Sequence, residues 1–297
     1  LEPILLGRKT AFGGIMLVAV RLISRVFDFA TVLVLARILT PADFGVVALA
    51  TSLVALVEAA LEIPLNQALL RLPEITWEHY DTAFTVSALR CAVIVIIVCG
   101  GAWPFAHFYG DPRLVPLVWV LCLGAVSRGL FNPRLAEFQK ELSFWRDGTT
   151  ELAGKMVGFV AGVTATLITG SYWGIVVGQV VYPVATVIIS YILAPYRPRF
   201  GLVGAKMFSE FAGWMSAAQI LSALTWQMER LLLGRLRGAA LLGLFATAGD
   251  VANIPMAALF GPILRPLLAA FAHLGTDRQR RAASFQTASS AILTIGL

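Results

Sequence analysis

The sequence predicts an all-α polytopic membrane protein organised as two like-oriented helical bundles, the second truncated. Three observations carry that prediction. The 297 residues are 58% hydrophobic and only 13% charged, with a mean hydropathy of +0.81, whereas a soluble domain has about a quarter of its residues charged. Apolar runs of about twenty residues recur along the whole chain, as bilayer-crossing helices require, without the polar–apolar alternation of a transmembrane β-barrel. A pattern near the start of the chain also returns much later at a fixed offset.

Nine apolar spans follow in order, at residues 10–38, 42–70, 80–108, 113–138, 144–169, 172–194, 206–234, 239–272 and 277–297. Several exceed the ~20 residues a bilayer needs, which implies tilt or extension into water. Turn chemistry separates them at Thr40-Pro41-Ala42-Asp43, Gly110-Asp111-Pro112, Gly170-Ser171-Tyr172 and Pro195 to Gly201. Loops on one side hold Arg8, Lys9, Arg71, Arg134, Lys140, Arg146, Arg197, Arg199, Lys206, Arg278, Arg280 and Arg281. The opposite loops hold Arg37, Arg113, Arg235 and Arg237. This bias predicts a cytoplasmic N-terminus. It also accounts for much of the net charge of +6 without invoking nucleic acid, for which no basic and aromatic platform exists. The closing stretch Ala291 to Leu297 is apolar and reads as a break inside a helix, so the chain is expected to be a fragment.

The first span carries Arg21, Arg25 and Asp28 at i, i+4 and i+7, all on one helical face. Each costs about 2.5–3.5 kcal/mol in a bilayer even on lenient scales, so the face lines an enclosed cavity or meets charges on other helices. Arg21 and Arg25 suit anion capture, because guanidinium groups offer planar, bidentate donors. The plainer reading is neutralisation of a nearby carboxylate, with Asp28 the obvious candidate.

The second span places Glu58 and Glu62 on one face, with Pro64 beyond to bend the helix. With Asp28 they are the candidate ion-coupling groups; the alternative is a salt-bridge network with Arg21 and Arg25. Arg90 in the third span and Arg128 in the fourth are further candidates for the same cavity. In the fifth, Glu151 and Lys155 predict an i, i+4 ion pair, while Gly154, Gly158 and Gly162 predict close helix approach. In the seventh, Glu229-Arg230 reads as a structural pair. The eighth holds Asp250 and Arg265, and Pro255, Pro262 and Pro266 break it repeatedly; Pro255 and Pro262 are candidate gating positions.

Leu35-Ala36-Arg37 recurs as Leu233-Gly234-Arg235, Gly45 as Gly243 and Ala48 as Ala246, all at one offset of 198 residues. Ala59-Ala60-Leu61 returns as Ala257-Ala258-Leu259 at the same offset. Six spans lie within one repeat, and an even number preserves orientation. The expected organisation is a six-helix lobe at 1–198 and the first three helices of a second, like-oriented lobe at 199–297, which would be complete near residue ~400.

Leu35-Ala36-Arg37-Ile38-Leu39-Thr40-Pro41-Ala42-Asp43-Phe44-Gly45, Tyr80 to Thr85, Asn132-Pro133-Arg134 and Arg230 to Arg235 resemble the polysaccharide transporter (oligosaccharide flippase) family of the multidrug/oligosaccharidyl-lipid/polysaccharide exporter superfamily. The resemblance covers essentially the whole chain. It implies two six-helix bundles around a central cavity in the bacterial cytoplasmic membrane. It implies a secondary transporter that flips polyprenyl-pyrophosphate-linked oligosaccharide for lipopolysaccharide or exopolysaccharide synthesis, with basic cavity residues on the pyrophosphate. Its candidate partners are the lipid-linked oligosaccharide, membrane lipids, and a polysaccharide polymerase with its co-polymerase.

Rival readings are a multidrug-type cation antiporter of the same superfamily and a membrane-embedded glycosyl- or acyltransferase. The first wants an acidic, aromatic site. The second wants a catalytic cluster on a loop, and His79, His107 and His273 are scattered. No nucleotide-binding loop, dinucleotide fingerprint or nucleophile elbow is present, so no catalytic residue and no cofactor is expected. Cys91, Cys99 and Cys122 have no metal-ligand spacing and read as packing residues.

Overall fold

The computed structural model describes the backbone over residues 2–72, 74–140, 145–203 and 205–273, and side chains over 19–70, 72, 74–140, 145–203 and 219–253. These residues form helices and connecting turns, with no strand among them. The order is α1 (Glu2–Leu35), α2 (Pro41–Ala60), α3 (Leu65–Arg71), α4 (Trp77–Tyr109), α5 (Leu114–Gly129), α6 (Leu135–Lys140), α7 (Trp145–Thr169), α8 (Trp173–Leu193) and α9 (Ala205–His273). Residues 1–249 form one compact unit and 250–297 another; of the second, residues 250–273 continue the helical run of α9. This is a multi-pass membrane protein. Pro41–Leu70, Trp77–Tyr109, Trp145–Thr169, Trp173–Leu193 and Gln219–Asn253 are long and apolar enough to cross a membrane, and Leu114–Gly129 is a shorter apolar helix.

Local chemistry sets the helix ends. Pro41 opens α2 with its missing N–H where no donor is needed, and Thr40 and Asp43 form a reciprocal capping box. Asp43 Oδ2 accepts from Thr40 N at 3.0 Å, while Asp43 N donates to Thr40 Oγ1 at 3.4 Å. Gly110 ends α4 in the left-handed region (φ +69°), which a side chain would resist. Just beyond, Arg113 holds Asp111 with hydrogen bonds of 2.7–3.1 Å and keeps that carboxyl below its ordinary range.

Two expected spans divide. Residues 42–70 separate into α2 and α3 around Glu62-Ile63-Pro64, so Pro64 stands at the start of a new helix rather than bending a continuous one. Residues 113–138 separate into α5 and α6 at Asn132-Pro133. Buried Asn132 satisfies that break, donating to Ser190 O at 3.2 Å and Ala194 O at 2.6 Å and accepting from Arg134 N at 3.0 Å. The helical run α9 is interrupted at Gly238 (φ +80°, ψ 172°), between the expected seventh and eighth spans.

The main apolar core joins α2, α4, α5 and α8 through Val46, Ala50, Ile94, Val98, Leu117 and Val176, with Leu242 of α9. Helices α7 and α8 approach closely along the glycine face. A methyl on Gly158 would stand 2.7 Å from Tyr182 Cβ, and one on Gly154 would overlap Thr186. Ile96, Trp103 and Ile168 are exposed, the apolar surface that a bilayer-crossing helix offers to lipid.

Candidate functional site

Among the described residues, three ion pairs join different helices of the bundle, and a fourth contact runs along α1. On α1, Asp28 accepts two bonds from Lys155 Nζ of α7, at 2.6 and 2.7 Å, and Arg25 Nη1 stands 3.6 Å from the same carboxylate. One turn earlier on α7, Glu151 accepts from Ser24 Oγ at 3.3 Å. The expected Glu151–Lys155 pair is therefore replaced. Such an i, i+4 pair is worth about 0.3–0.5 kcal/mol, while an unpaired Asp28 within the bundle would cost several times more.

Glu58 and Glu62 of α2 each have their own guanidinium. Arg128, near the end of α5, grips Glu58 with Nε–Oε1 2.9 Å and Nη2–Oε2 2.6 Å, a bidentate geometry. Arg90 of α4, only 11% exposed, donates to Glu62 Oε2 at 2.8 Å. The partners are Arg128 and Arg90, in place of the anticipated Arg21 and Arg25. Each carboxylate thus has a separate guanidinium partner.

Arg21 differs. Among the described residues no carboxylate lies within ion-pair distance of it. It lines a cavity of ≈370 Å³ with Arg128, Gln139, Asp147, Glu151 and Tyr182, bounded by α1, α5, α6, α7 and α8. Gln139 donates to Asp147 Oδ2 and fixes that carboxylate at the cavity wall. All lining residues fall between Val20 and Val187, so this cavity belongs to one bundle, whereas the expected cavity lay between two. Of the four candidate arginines, it brings together Arg21 and Arg128. Arg25 and Arg90 are engaged elsewhere, in the pairs with Asp28 and Glu62. The side chains of Pro255, Pro262 and Arg265 lie outside the described residues.

Sequence reading missed Ser24, Gln139, Asp147 and Tyr182. A signal for Asp147 was present: Asp147, Glu151 and Lys155 recur every four residues and so share one face of α7. Gln139 and Tyr182 had none, since each reaches the cavity only through tertiary packing. Among the described residues, no cluster of three or more His, Cys, Asp or Glu could hold a metal ion. Cys91 and Cys122 are buried free thiols.

The cavity can offer the exposed guanidinium donors of Arg21 and Arg128 to an anion, with Asp147 and Glu151 on the same wall. The polysaccharide biosynthesis protein family matches residues 34–297. The chain belongs to that family.

Relatives agree. The lipopolysaccharide biosynthesis protein WzxC of Escherichia coli K12 is 27% identical over 264 residues, 85% of this chain and 52% of that protein. The succinoglycan biosynthesis transport protein ExoT of Rhizobium meliloti is 24% identical over 258 residues, 85% of this chain and 52% of its own length. The teichuronic acid biosynthesis protein TuaB of Bacillus subtilis is 22% identical over 205 residues, covering 67% of this chain and 42% of TuaB. The chain thus spans about half the length of the curated relatives it matches. No solved structure gives a significant match. Family membership bears out the resemblance carried by Leu35 to Gly45, Tyr80 to Thr85, Asn132 to Arg134 and Arg230 to Arg235.

Proposed function

We propose that this chain moves a polyprenyl-pyrophosphate-linked oligosaccharide across the bacterial cytoplasmic membrane as a secondary transporter and is not an enzyme. The observation that carries the reading is Arg21, an exposed guanidinium without a carboxylate partner among the described residues, on the wall of an open cavity formed by apolar helices. A cation inside an apolar membrane span is costly unless an anion or water reaches it, and an open cavity admits either. A pyrophosphate supplies several negative oxygens in the geometry guanidinium prefers. The names of WzxC and ExoT, in lipopolysaccharide biosynthesis and succinoglycan transport, support a glycan cargo.

In this reading Arg21 is the first contact for the phosphates. Arg128 becomes the second by exchanging Glu58 for phosphate, and Glu58 is then free to take up an ion. Asp28 and Glu62 serve the same coupling through Lys155 and Arg90. Arg25 and Arg90 hold those carboxylates and reach the substrate only when the pairs open. The N-terminus lies in the cytoplasm, residues 1–198 and 199–297 belong to like-oriented lobes, and Pro255 and Pro262 let the second rock against the first. A polymerase and co-polymerase would receive the flipped product.

Reconstitution into vesicles carrying a fluorescent polyprenyl-pyrophosphate oligosaccharide tests this, with leaflet accessibility as the readout. Translocation by the wild-type chain and at least a tenfold loss in Arg21→Ala are expected. Equal rates for both proteins, or no translocation by either, would remove the reading.

A further inference from the structure

A second recess lies where α4 begins and α8 ends, sharing no lining residue with the Arg21 cavity. Its ≈590 Å³ are bounded by Trp77, Asp81, Tyr191, Tyr196, Arg197 and Arg199. The segment after α8 is not helical, yet it is fastened at three points. Tyr196 Oη donates to Asp81 Oδ1 at 2.6 Å, Arg134 Nη1 donates to Pro195 O at 2.6 Å, and Gly201 N donates to Thr85 Oγ1 at 3.0 Å. Burial, then the bond to Asp81, raises the Tyr196 hydroxyl above its ordinary range and keeps it a donor. Rings of Trp77, Tyr80, Phe84 and Tyr191 surround that of Tyr196. The floor is therefore set before any ligand arrives.

Two features are left over. Trp77 stays 59% exposed even with Arg134 5.3 Å from its ring centroid and Tyr196 stacked at 6.4 Å. Arg197 and Arg199 are exposed, and among the described residues no carboxylate lies within ion-pair distance of either. Asp81, the one carboxylate on the wall, is already engaged by Tyr196. Interfacial anchoring explains a Trp and scattered arginines at a helix end. It does not call for a concave aromatic recess with a braced floor and two unmatched cations on its rim.

Aromatic surface accepts the apolar face of a sugar ring, polar edges meet hydroxyls, and guanidinium groups grip a carboxylate or phosphate. The volume falls within the ~300–1,000 Å³ of small-ligand sites. We infer that this recess is a saccharide site taking a sugar residue that bears an anionic group, a uronate or a glycosyl phosphate. The choice of a sugar rests on the glycan cargo proposed above, but binding of free sugars is measured without translocation, so either claim can fail alone.

Saturation-transfer NMR on the purified full chain in detergent, with glucuronate, glucose 1-phosphate, glucose and inorganic phosphate, is the test. Glucuronate or glucose 1-phosphate should bind at least about tenfold better than glucose. A uronate preference points to an acidic residue within the glycan, and a glycosyl-phosphate preference to the sugar at the pyrophosphate end. R197Q/R199Q, altering two exposed side chains, should lose at least about tenfold in affinity with an unchanged melting temperature, and Trp77→Leu should lose the sugar-ring signals. Three results would each overturn the inference: glucose binding as well as glucuronate, R197Q/R199Q binding like wild type, or inorganic phosphate or anionic lipid vesicles displacing the sugar as effectively as sugar itself.

Discussion

Gly45 and Gly243 each press against the backbone of the other's helix. A methyl on Gly45 would stand 1.7 Å from the carbonyl oxygen of Ala239, and one on Gly243 would stand 1.8 Å from the carbonyl oxygen of Pro41. Residues 41 and 239, like 45 and 243, are separated by the same 198 positions as the sequence repeat. The crossing is therefore nearly symmetric, as two like-oriented halves related by a local axis would produce. It supports that proposed organisation and gives the glycine of Phe44-Gly45 a physical reason.

Alanine at either glycine meets backbone carbonyls, which cannot swing aside as a side-chain tip can. Gly45→Ala and Gly243→Ala should each destabilise the detergent-purified protein by about 1–3 kcal/mol or more. Gly249→Ala, where a methyl would meet nothing within 4 Å, should not. Thermal unfolding followed by circular dichroism reads the difference. An unaltered melting temperature in Gly45→Ala would mean the helices do not cross this closely.

The Asp28–Lys155 pair makes a second prediction. Asp28→Asn strands the ammonium of Lys155, whose side chain is 17% exposed. The cost should be about 1–3 kcal/mol, below the fully buried limit because Asp28 is 39% exposed. The D28N/K155M double variant removes both charges and should recover most of that loss. A double variant that is worse than either single one would contradict the pairing.

These contacts show what the sequence could and could not disclose. Thr40, Pro41 and Asp43 announced the start of α2 because a cap is made by neighbours in the chain. Arg21 announced itself as a cation inside an apolar run, and it does face a cavity. The partner of Lys155 was hidden, since it lies 127 residues away and spacing along a helix offers only Glu151. The breaks near Pro64 and Asn132 were masked for a similar reason. Hydropathy averages across them, and only tertiary acceptors such as Ser190 O and Ala194 O make the second affordable.

Acid should loosen the turn between α4 and α5. Hydrogen bonds from Arg113 hold the Asp111 carboxyl below its ordinary value. A carboxyl with a depressed folded pKa contributes stability above its unfolded pKa, about 3.9, and loses it as pH falls through the folded value. Wild type should thus lose its advantage over Asp111→Asn progressively below about pH 4. Melting curves for the two proteins at pH 3 and pH 7 compare this directly, and a gap of equal size at both values would exclude the linkage.

The Glu58–Arg128 pair yields the sharpest test of how an anion enters the cavity. Arg128 donates two bonds to Glu58, so a phosphate reaching Arg128 must first displace a charged competitor. Glu58→Gln leaves a neutral competitor whose hydrogen bonds are weaker by about 1.4 kcal/mol, which corresponds to roughly a tenfold change in affinity. Pyrophosphate should therefore bind Glu58→Gln about tenfold more tightly than wild type, while Arg128→Ala should bind it more weakly. Turnover should fall in both variants, because Glu58→Gln gives up the competitor that drives release and Arg128→Ala gives up the grip. Isothermal titration with inorganic pyrophosphate measures the binding limb. Weaker binding by Glu58→Gln would show that the carboxylate props Arg128 in place for the anion instead of competing for it.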